Sequence, residues 1–302
     1  MKNKNDDKLT VIIISFGENT LSECIDAIEN QTIRDQIIIK HIKGISPIHK
    51  AKNLFYELCE TKYFVEVDAD MILNKDACEI LLSEIKKSDF LTYVVYGQLY
   101  EVGYGQRNIV NCWKRFIFKY FKYRDIRGCD RDLHNRAIRF LLHRKKIKEK
   151  KPIGLHKAYN SIFNTYLKSK CDVEKHIFLK EKIKGFIMPL FDKYIADPEK
   201  YKVQIFGLLL GTLTSKERLL HEKDSVLEAK RLDDILKILG YKKLDDLKII
   251  NDFNSADLRN KFINSYNSYD NNIKKDLTFD ILKIFSNKEI ENINDFEEII
   301  IY

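Results

Sequence analysis

The first third of the chain alternates between short apolar runs and segments whose apolar residues recur at helical spacing. The apolar runs are rich in β-branched or aromatic residues, as is typical of strands covered on both faces, and they occupy residues 11–16, 37–42 and 63–67. Between them we predict helices, one opening with a capping box of Thr20 and Glu23 and the next with Pro47 in its first turn. Short connections between alternating strands and helices imply right-handed crossovers. The pattern therefore predicts an α/β fold with a Rossmann-like, mostly parallel central sheet flanked by helices.

The second half of the chain has a different pattern. From about Asp172 onward, helical spacing predominates in segments rich in Asn, Lys and Ile. We predict two domains, in which residues 1–171 carry the sheet and the active centre and residues 172–302 form a mainly helical C-terminal region. Residues 111–123 interleave aromatic and basic side chains, which favours an amphipathic helix packed on the core. A segment resting on a membrane surface or lining an acceptor groove would show the same pattern.

Charge and cysteine content change this picture only slightly. The net charge is +8, but charged residues of both signs make up 32% of the chain. The excess favours anionic ligands or a negatively charged membrane surface without indicating nucleic acid, and a lysine-rich solvated surface explains it equally well. The six cysteines show no zinc or redox spacing and are interpreted as reduced thiols. With no signal-peptide pattern and no apolar run long enough for a bilayer, we expect a cytoplasmic protein, with peripheral contact at the inner face of the membrane left open.

Two carboxylates, Asp68 and Asp70, come directly after the third predicted strand. Residues two apart in an extended segment project to the same side, so the pair can share a hard divalent cation such as Mg²⁺ or Mn²⁺. Ligands bind beyond the carboxyl ends of parallel strands, which places Ser15 and Phe16 on the same rim. An Asp-X-Asp after a strand is also a common polar turn. The order of strands and helices before it is what favours the metal site.

Three segments in order resemble family-2 glycosyltransferases with the GT-A fold. Residues 11–32 resemble the opening strand and helix of that family, His49–Asn53 its basic-Ala-Arg-Asn segment, and residues 65–73 its Asp-X-Asp strand end. The resemblance covers roughly the first half of the chain. It implies a nucleotide-sugar donor, Mn²⁺ or Mg²⁺, and a saccharide or lipid-linked acceptor. The residues that it implies for nucleotide binding are Ser15, Phe16, Lys50, Asn53, Asp68 and Ala69, and those for the metal are Asp68 and Asp70.

Two later residues complete the site that the resemblance implies. The segment from Gly128 to Ala137 resembles the family's Glu-Asp-X-Asp-Leu-X-X-Arg-Ala motif, which makes Asp130 the catalytic base of an inverting transfer, with Cys129 in place of the usual Glu. The same segment suits an acidic helix N-terminus. His156, in a predicted loop, is the best placed histidine for a third metal ligand, and a structurally bonded histidine fits as well.

Other features of the sequence leave alternatives open. Residues 40–44 lack the carboxylate that reads uracil in many family members, so a UDP-sugar is only the default donor. For Lys50 and especially Lys52, an ordinary solvated helix face is an alternative to nucleotide contact. A sugar nucleotidyltransferase would share the sheet, although it usually has a Gly-rich loop where residues 15–19 contain one glycine. A non-catalytic GT-A-like binding protein would be expected to lose the Asp pair that is present here.

Overall fold

A computed structural model describes residues 8–101, 105–126, 128–156, 161–178, 182–183, 185, 187–214, 225–268 and 270–301. The chain divides into two compact units, Met1–Ala158 and Tyr159–Tyr302. The first unit contains the sheet, and the described residues of the second form helices. The sequence-based boundary after residue 171 falls inside one of these helices, Ile162–Phe178.

The described part of the first unit forms a sheet of eight strands. The strands are β1 (Leu9–Ser15), β2 (Ile37–Lys43), β3 (Tyr63–Asp68), β4 (Met71–Leu73), β5 (Thr92–Glu101), β6 (Gly105–Lys114), β7 (His143–Lys146) and β8 (Gly154–His156). The helices are α1 (Leu21–Glu29), α2 (Ile48–Lys52), α3 (Phe55–Leu58), α4 (Ala77–Lys86), α5 (Ile117–Tyr120) and α6 (Cys129–Arg139). The strand order is β2-β1-β3-β6-β5-β8-β4, and β7 pairs with β5. Four of the seven described pairings are parallel, and β6 runs antiparallel to both β3 and β5.

Helices cover both faces of this sheet, which confirms the predicted α/β fold with a central sheet flanked by helices. Alternate residues of β1 point to opposite faces, so Val11 and Ile13 pack with Cys24 of α1 in one core, and Ile12 and Ile14 belong to the other. Because both faces are buried, the strand reads in the sequence as an uninterrupted apolar run. The same alternation carries through β3 and fixes which of its side chains face the candidate site.

The predicted capping box at the start of α1 is wrong. Thr20 precedes the helix, but its hydroxyl donates a hydrogen bond to the carbonyl oxygen of Ala69 at 3.0 Å and makes no cap. The Thr20 hydroxyl therefore bonds to a carbonyl oxygen distant in sequence and not to the N–H groups at the start of α1. The result is a direct bond between the beginning of α1 and the Asp-X-Asp turn.

Two further predicted helices are shorter in the structure. The one opening after Pro47 is interrupted at Asn53 and Leu54, which separate α2 from α3. Residues 111–114 belong to strand β6, so only α5 is helical in the aromatic and basic segment. Its aromatic residues pack mainly into the core, with Trp113 fully buried, whereas Tyr120 is exposed. The core-packing interpretation of this segment is therefore correct, although part of it is a strand.

The second unit is built from helices. They are α7 (Ile162–Phe178), α8 (Ile187–Ala196), α9 (Pro198–Leu213), α10 (Ser225–Ile238), α11 (Ser255–Asn267), α12 (Asn271–Phe285) and α13 (Ile293–Ile301). Helices α7 and α9 approach closely at Gly207, where a Cβ atom would stand 2.6 Å from the carbonyl oxygen of Tyr166. Stacked rings of Phe191 and Phe262, with centroids 4.3 Å apart, join α8 to α11. Among the described residues, no helix is both long enough and apolar enough to cross a bilayer.

Candidate active site

The Asp-X-Asp segment forms a tight turn between two strands. Asp68 ends β3, Asp70 precedes β4, and the turn is held by a hydrogen bond from the Ala69 N–H to the carbonyl oxygen of Ile14 at 2.9 Å. The Ala69 carbonyl accepts from Thr20, and the Ala69 side chain is fully buried. Ala69 therefore fixes the turn through its backbone, with the carboxylates of Asp68 and Asp70 on either side of it.

Strand β8 brings His156 to this turn. It lies between β4 and β5, with His156 in register with Met71 on one side and with Glu101 on the other. The His156 Nε2 atom is 3.1 Å from Asp70 Oδ2, and the Nδ1 atom is 3.7 Å from Glu101 Oε1. The predicted loop histidine is thus a strand residue, and it lies directly beside Asp70. Glu101, which the sequence did not indicate, is fully buried behind it.

The close approach of β4 and β8 depends on a glycine. A Cβ atom at Gly154 would stand 2.6 Å from the carbonyl oxygen of Ile72, far inside van der Waals contact with a backbone atom that cannot move aside. Gly154 lies two residues before His156 on the same short strand. The position of His156 therefore depends on the absence of a side chain at residue 154.

The residues around Asp70 fit part of a divalent metal site. Asp70 Oδ1 is buried and has no hydrogen-bond partner among the described residues, and His156 has a carboxylate on each ring nitrogen. A histidine oriented by a carboxylate is the usual arrangement behind a metal-ligating imidazole. The described residues contain no group of three or more His, Cys, Asp or Glu side chains that could hold a metal by itself. Mg²⁺ and Mn²⁺ sites commonly take the rest of their ligands from phosphates and water, so a pair of protein ligands suits that chemistry.

Negative charge is concentrated at Asp68. Burial raises the pKa of its carboxyl group to about 7; Lys52 lowers it, and the carboxylates of Glu66, Asp70 and Asp130 raise it. These contributions show that the strand end, the Asp-X-Asp turn and the first turn of α6 belong to one electrostatic cluster. A cation bound there would relieve the repulsion among its carboxylates.

Lys52 joins the two sides of that cluster. Its buried Nζ atom lies 2.7 Å from Glu66 Oε1 and 2.6 Å from Asp130 Oδ1, and Glu66 also accepts a hydrogen bond from Trp113 Nε1 at 2.9 Å. Burial favours a neutral amine, but Asp130 and Glu66 outweigh it and hold the pKa of Lys52 well above its ordinary value. The alternative of a solvated helix face is therefore wrong for Lys52.

Asp130 lies in the first turn of α6 with half of its side chain exposed. The Oδ1 atom of Asp130 is thus held by the buried Lys52 ammonium, while the rest of the side chain stays accessible to solvent. Burial raises the pKa of the neighbouring Cys129 thiol to about 12, so Cys129 is an inert core residue. Asp132 is engaged along the helix by Arg136 at 2.8 Å. Asp130 is therefore the accessible acid of this segment.

The remaining predicted nucleotide residues are distributed around the same rim. The buried Ser15 hydroxyl is hydrogen-bonded to His41 Nε2 at 2.7 Å, and Phe16 beyond it is half exposed. Lys50 is exposed on α2. Asn53 exchanges two hydrogen bonds with the backbone of Tyr123, at 3.0 and 2.8 Å. The Nδ2 and Oδ1 atoms of the Asn53 side-chain amide thus both hold the segment that leads towards α6, which gives Asn53 a structural role.

Comparisons with solved structures find similar folds at low sequence identity. Over 89% of this chain and 90% of the other, the chain is similar to S. aureus TarS 1-349, with 11% identity and a TM-score of 0.44. Over 93% of this chain and 86% of the other, it is similar to the mannosyltransferase PcManGT from Pyrobaculum calidifontis in complex with GDP-Man and Mn²⁺, with 11% identity and a TM-score of 0.45. A 4-diphosphocytidyl-2C-methyl-D-erythritol synthase from Anaerococcus prevotii matches over 54% of this chain and 99% of its own, with 11% identity and a TM-score of 0.35. No family model and no curated protein matches the chain. These similarities concern the fold alone.

Glu66 and Glu101 are not among the predicted site residues, and for Lys52 the sequence leaves both nucleotide contact and a solvated helix face open. A signal existed for Glu66, because a lone charged residue inside the apolar run 63–67 needs a buried partner. Glu101 is the last residue of β5, and no pattern in the sequence connects it with the site. Its role becomes visible only through the pairing of β5 with β8.

Proposed function

We propose that this chain is a metal-dependent glycosyltransferase that transfers a sugar from a nucleotide-sugar donor to an acceptor hydroxyl with inversion. The observation that carries the proposal is the convergence of Asp70 and His156 beside Asp68, with the accessible carboxylate of Asp130 in the same electrostatic cluster. Two functions are thereby separated within one site. The Asp70 side holds a cation, and the Asp130 side receives a proton.

The metal side of the site would be formed by Asp70 and His156, with Asp68 adjoining. A divalent cation there would offset the negative charge that develops on the leaving nucleoside diphosphate. Glu101, 3.7 Å from Nδ1 of His156, would orient the ring so that Nε2 faces Asp70. Ser15, the exposed Phe16 ring and Lys50 line the same rim and are proposed to contact the nucleotide.

The acid–base side would be formed by Asp130. The acceptor oxygen forms a bond to the anomeric carbon, the bond from that carbon to the diphosphate oxygen breaks, and Asp130 takes the acceptor's proton. Lys52 fixes one carboxylate oxygen of Asp130 during this step. A UDP-sugar is the default donor, and a saccharide or lipid-linked glycan is the proposed acceptor.

Calorimetric titration with a panel of nucleoside diphosphates, with and without Mn²⁺, tests the metal side directly. We expect one nucleotide to bind in a Mn²⁺-dependent manner and this binding to be lost in Asp70→Ala and in His156→Ala. Asp35→Ala is the matched control, because Asp35 is an exposed carboxylate of the same unit outside the cluster. Asp130→Asn should keep Mn²⁺-dependent nucleotide binding and lose sugar transfer.

Other outcomes would contradict the proposal in distinct ways. A folded wild-type protein that binds no nucleotide, with or without Mn²⁺, would favour the non-catalytic scaffold. Release of pyrophosphate from a nucleoside triphosphate in the presence of a sugar phosphate would identify a nucleotidyltransferase instead. Equal loss of binding in Asp35→Ala and Asp70→Ala would show that the effect is not specific to the Asp70 site.

A further inference from the structure

Six large hydrophobic side chains of the first unit are exposed in one region. We call this region the apolar patch; it consists of Phe90, Leu91, Tyr120, Ile138, Phe140 and Leu141. A hydrogen bond from the His143 N–H to the Leu91 carbonyl oxygen, at 3.0 Å, joins the segment before β5 to the segment after α6. The Phe140 ring packs edge-on against Phe121, next to Tyr120, with centroids 5.6 Å apart. Three neighbouring segments therefore contribute exposed apolar side chains to this region, and such patches mark interaction sites.

Leu141 is the most informative member of the patch. Its φ of 61° lies in the left-handed region that favours glycine or asparagine, and its side chain is 79% exposed. A bulky residue in this conformation costs stability, and here its side chain gains little burial in return. The fold thus presents an apolar side chain to solvent at a position where glycine would be more stable.

The apolar patch has a basic border. Lys87 precedes Phe90, Lys119 and Lys122 flank Tyr120, and Arg139 adjoins Phe140; all four basic side chains are exposed. Lys119 Nζ lies 5.6 Å from the centre of the Tyr120 ring. The acidic residue within this region, Asp89, is engaged by His143 at 3.1 Å. The surface therefore combines exposed apolar groups with a surplus of positive charge.

We propose that the apolar patch and its basic border form a surface that rests on a bilayer with anionic headgroups. The apolar side chains would enter the headgroup–acyl boundary while the lysines and Arg139 contact lipid phosphates. Charge complementarity is what favours a membrane, because a second apolar protein surface would leave the basic border unpaired. Asp130 lies about 15 Å from Phe140 along the axis of α6, a spacing that suits an acceptor raised above the bilayer on a lipid carrier. That last point alone rests on the proposed function.

Cosedimentation of the full chain with lipid vesicles tests the proposal without donor, metal or acceptor. Vesicles of phosphatidylcholine are compared with vesicles of phosphatidylcholine mixed with phosphatidylglycerol. We expect binding to the anionic vesicles and about tenfold weaker partitioning of Leu141→Gly, because one large apolar side chain is lost from the boundary. Glycine accepts the backbone conformation of residue 141, so this variant should fold at least as stably as the wild type.

Two further variants make the assignment specific. Lys122→Gln should weaken partitioning to anionic vesicles about fivefold, and added salt should abolish the difference. Phe279→Ser is the matched control, since Phe279 is a similarly exposed aromatic residue of the second unit, and it should bind like the wild type. Absence of binding to anionic vesicles, or equal weakening by Phe279→Ser and Leu141→Gly, would overturn the proposal. Neither result would touch the metal-dependent nucleotide binding on which the proposed function depends.

Discussion

Replacing Lys52 by methionine tests the buried charge pair at the centre of the site. Methionine keeps most of the length of the apolar stem but removes the ammonium that lies between Glu66 and Asp130. Glu66 would then be left buried with only the Trp113 N–H as its described partner. Breaking a buried ion pair by removing one partner costs about 3–5 kcal/mol. Asp130 adds little to this cost, because its half-exposed carboxylate can be hydrated instead.

Urea unfolding followed by circular dichroism gives the free energy of unfolding for the comparison. We expect Lys52→Met to lose about 3–5 kcal/mol, and Glu66→Gln introduced into that variant to restore most of the loss, because a neutral amide needs no counter-charge. Lys40→Met is the matched control, since Lys40 pairs with Glu60 at a partly exposed position. That variant should lose less than about 1 kcal/mol.

Two results would refute the reasoning. If Lys52→Met costs no more than Lys40→Met, then Lys52 does not neutralise a buried charge. If Glu66→Gln fails to restore stability in the Lys52→Met background, then the loss comes from packing and not from an uncompensated carboxylate. In either case the description of Lys52 as the link between β3 and Asp130 would have to be abandoned.

Three other substitutions test separate features of the site and its surroundings. Gly154→Ala should destabilise the fold by about 1–3 kcal/mol in urea unfolding and abolish Mn²⁺-dependent nucleotide binding, because the added Cβ displaces β8; intact binding would contradict the role of that strand. Glu101→Gln should weaken Mn²⁺ binding about 10–100-fold in calorimetry, and unchanged affinity would show that the carboxylate does not orient His156. Burial lowers the pKa of His134 to about 3. Between about pH 6.5 and 3 the unfolded chain therefore binds a proton at this histidine and the folded chain does not, so the free energy of unfolding should fall as the pH drops through that range. His134→Gln should flatten that part of the pH–stability curve, and an unchanged slope would refute the assignment.

The strands and their common rim could be predicted from the sequence because their signals are local. Continuous β-branched runs specify strands buried on both faces, and parallel connection fixes the rim on which Ser15 and Asp68 lie. The prediction failed where a local signal competed with a long-range partner. Thr20 has the sequence of a helix cap, yet its hydroxyl bonds to Ala69 across the fold. No local pattern encodes that choice.

The residues that were missed depend on long-range pairing in the same way. Helix α2 has only five residues, among them His49, Lys50 and Lys52, and so short a basic segment does not show which side chain turns inward. The interruption of the helix at Asn53 determines which of these side chains turns inward. Asn53 is held by the backbone of Tyr123, which is distant in sequence. His156 could be named as a candidate because of its chemistry. Its contact with Asp70 follows from the register of a three-residue strand that the sequence does not reveal.

The alternation along β3 explains why the cluster divides into a structural end and a reactive end. Val65 and Val67 face one core and Phe64 the other, so Glu66 and Asp68 project to the same side of the sheet as Phe64. Lys52 neutralises Glu66, the inner carboxylate of this row, and this charge pair belongs to the folded protein itself. At the outer end, Asp68 and Asp70 adjoin each other, and Asp70 keeps a buried oxygen without a hydrogen bond among the described residues. Because Lys52 pairs with Glu66 and not directly with Asp68 or Asp70, this outer pair is suited to take a second cation from solution, as the proposed function requires.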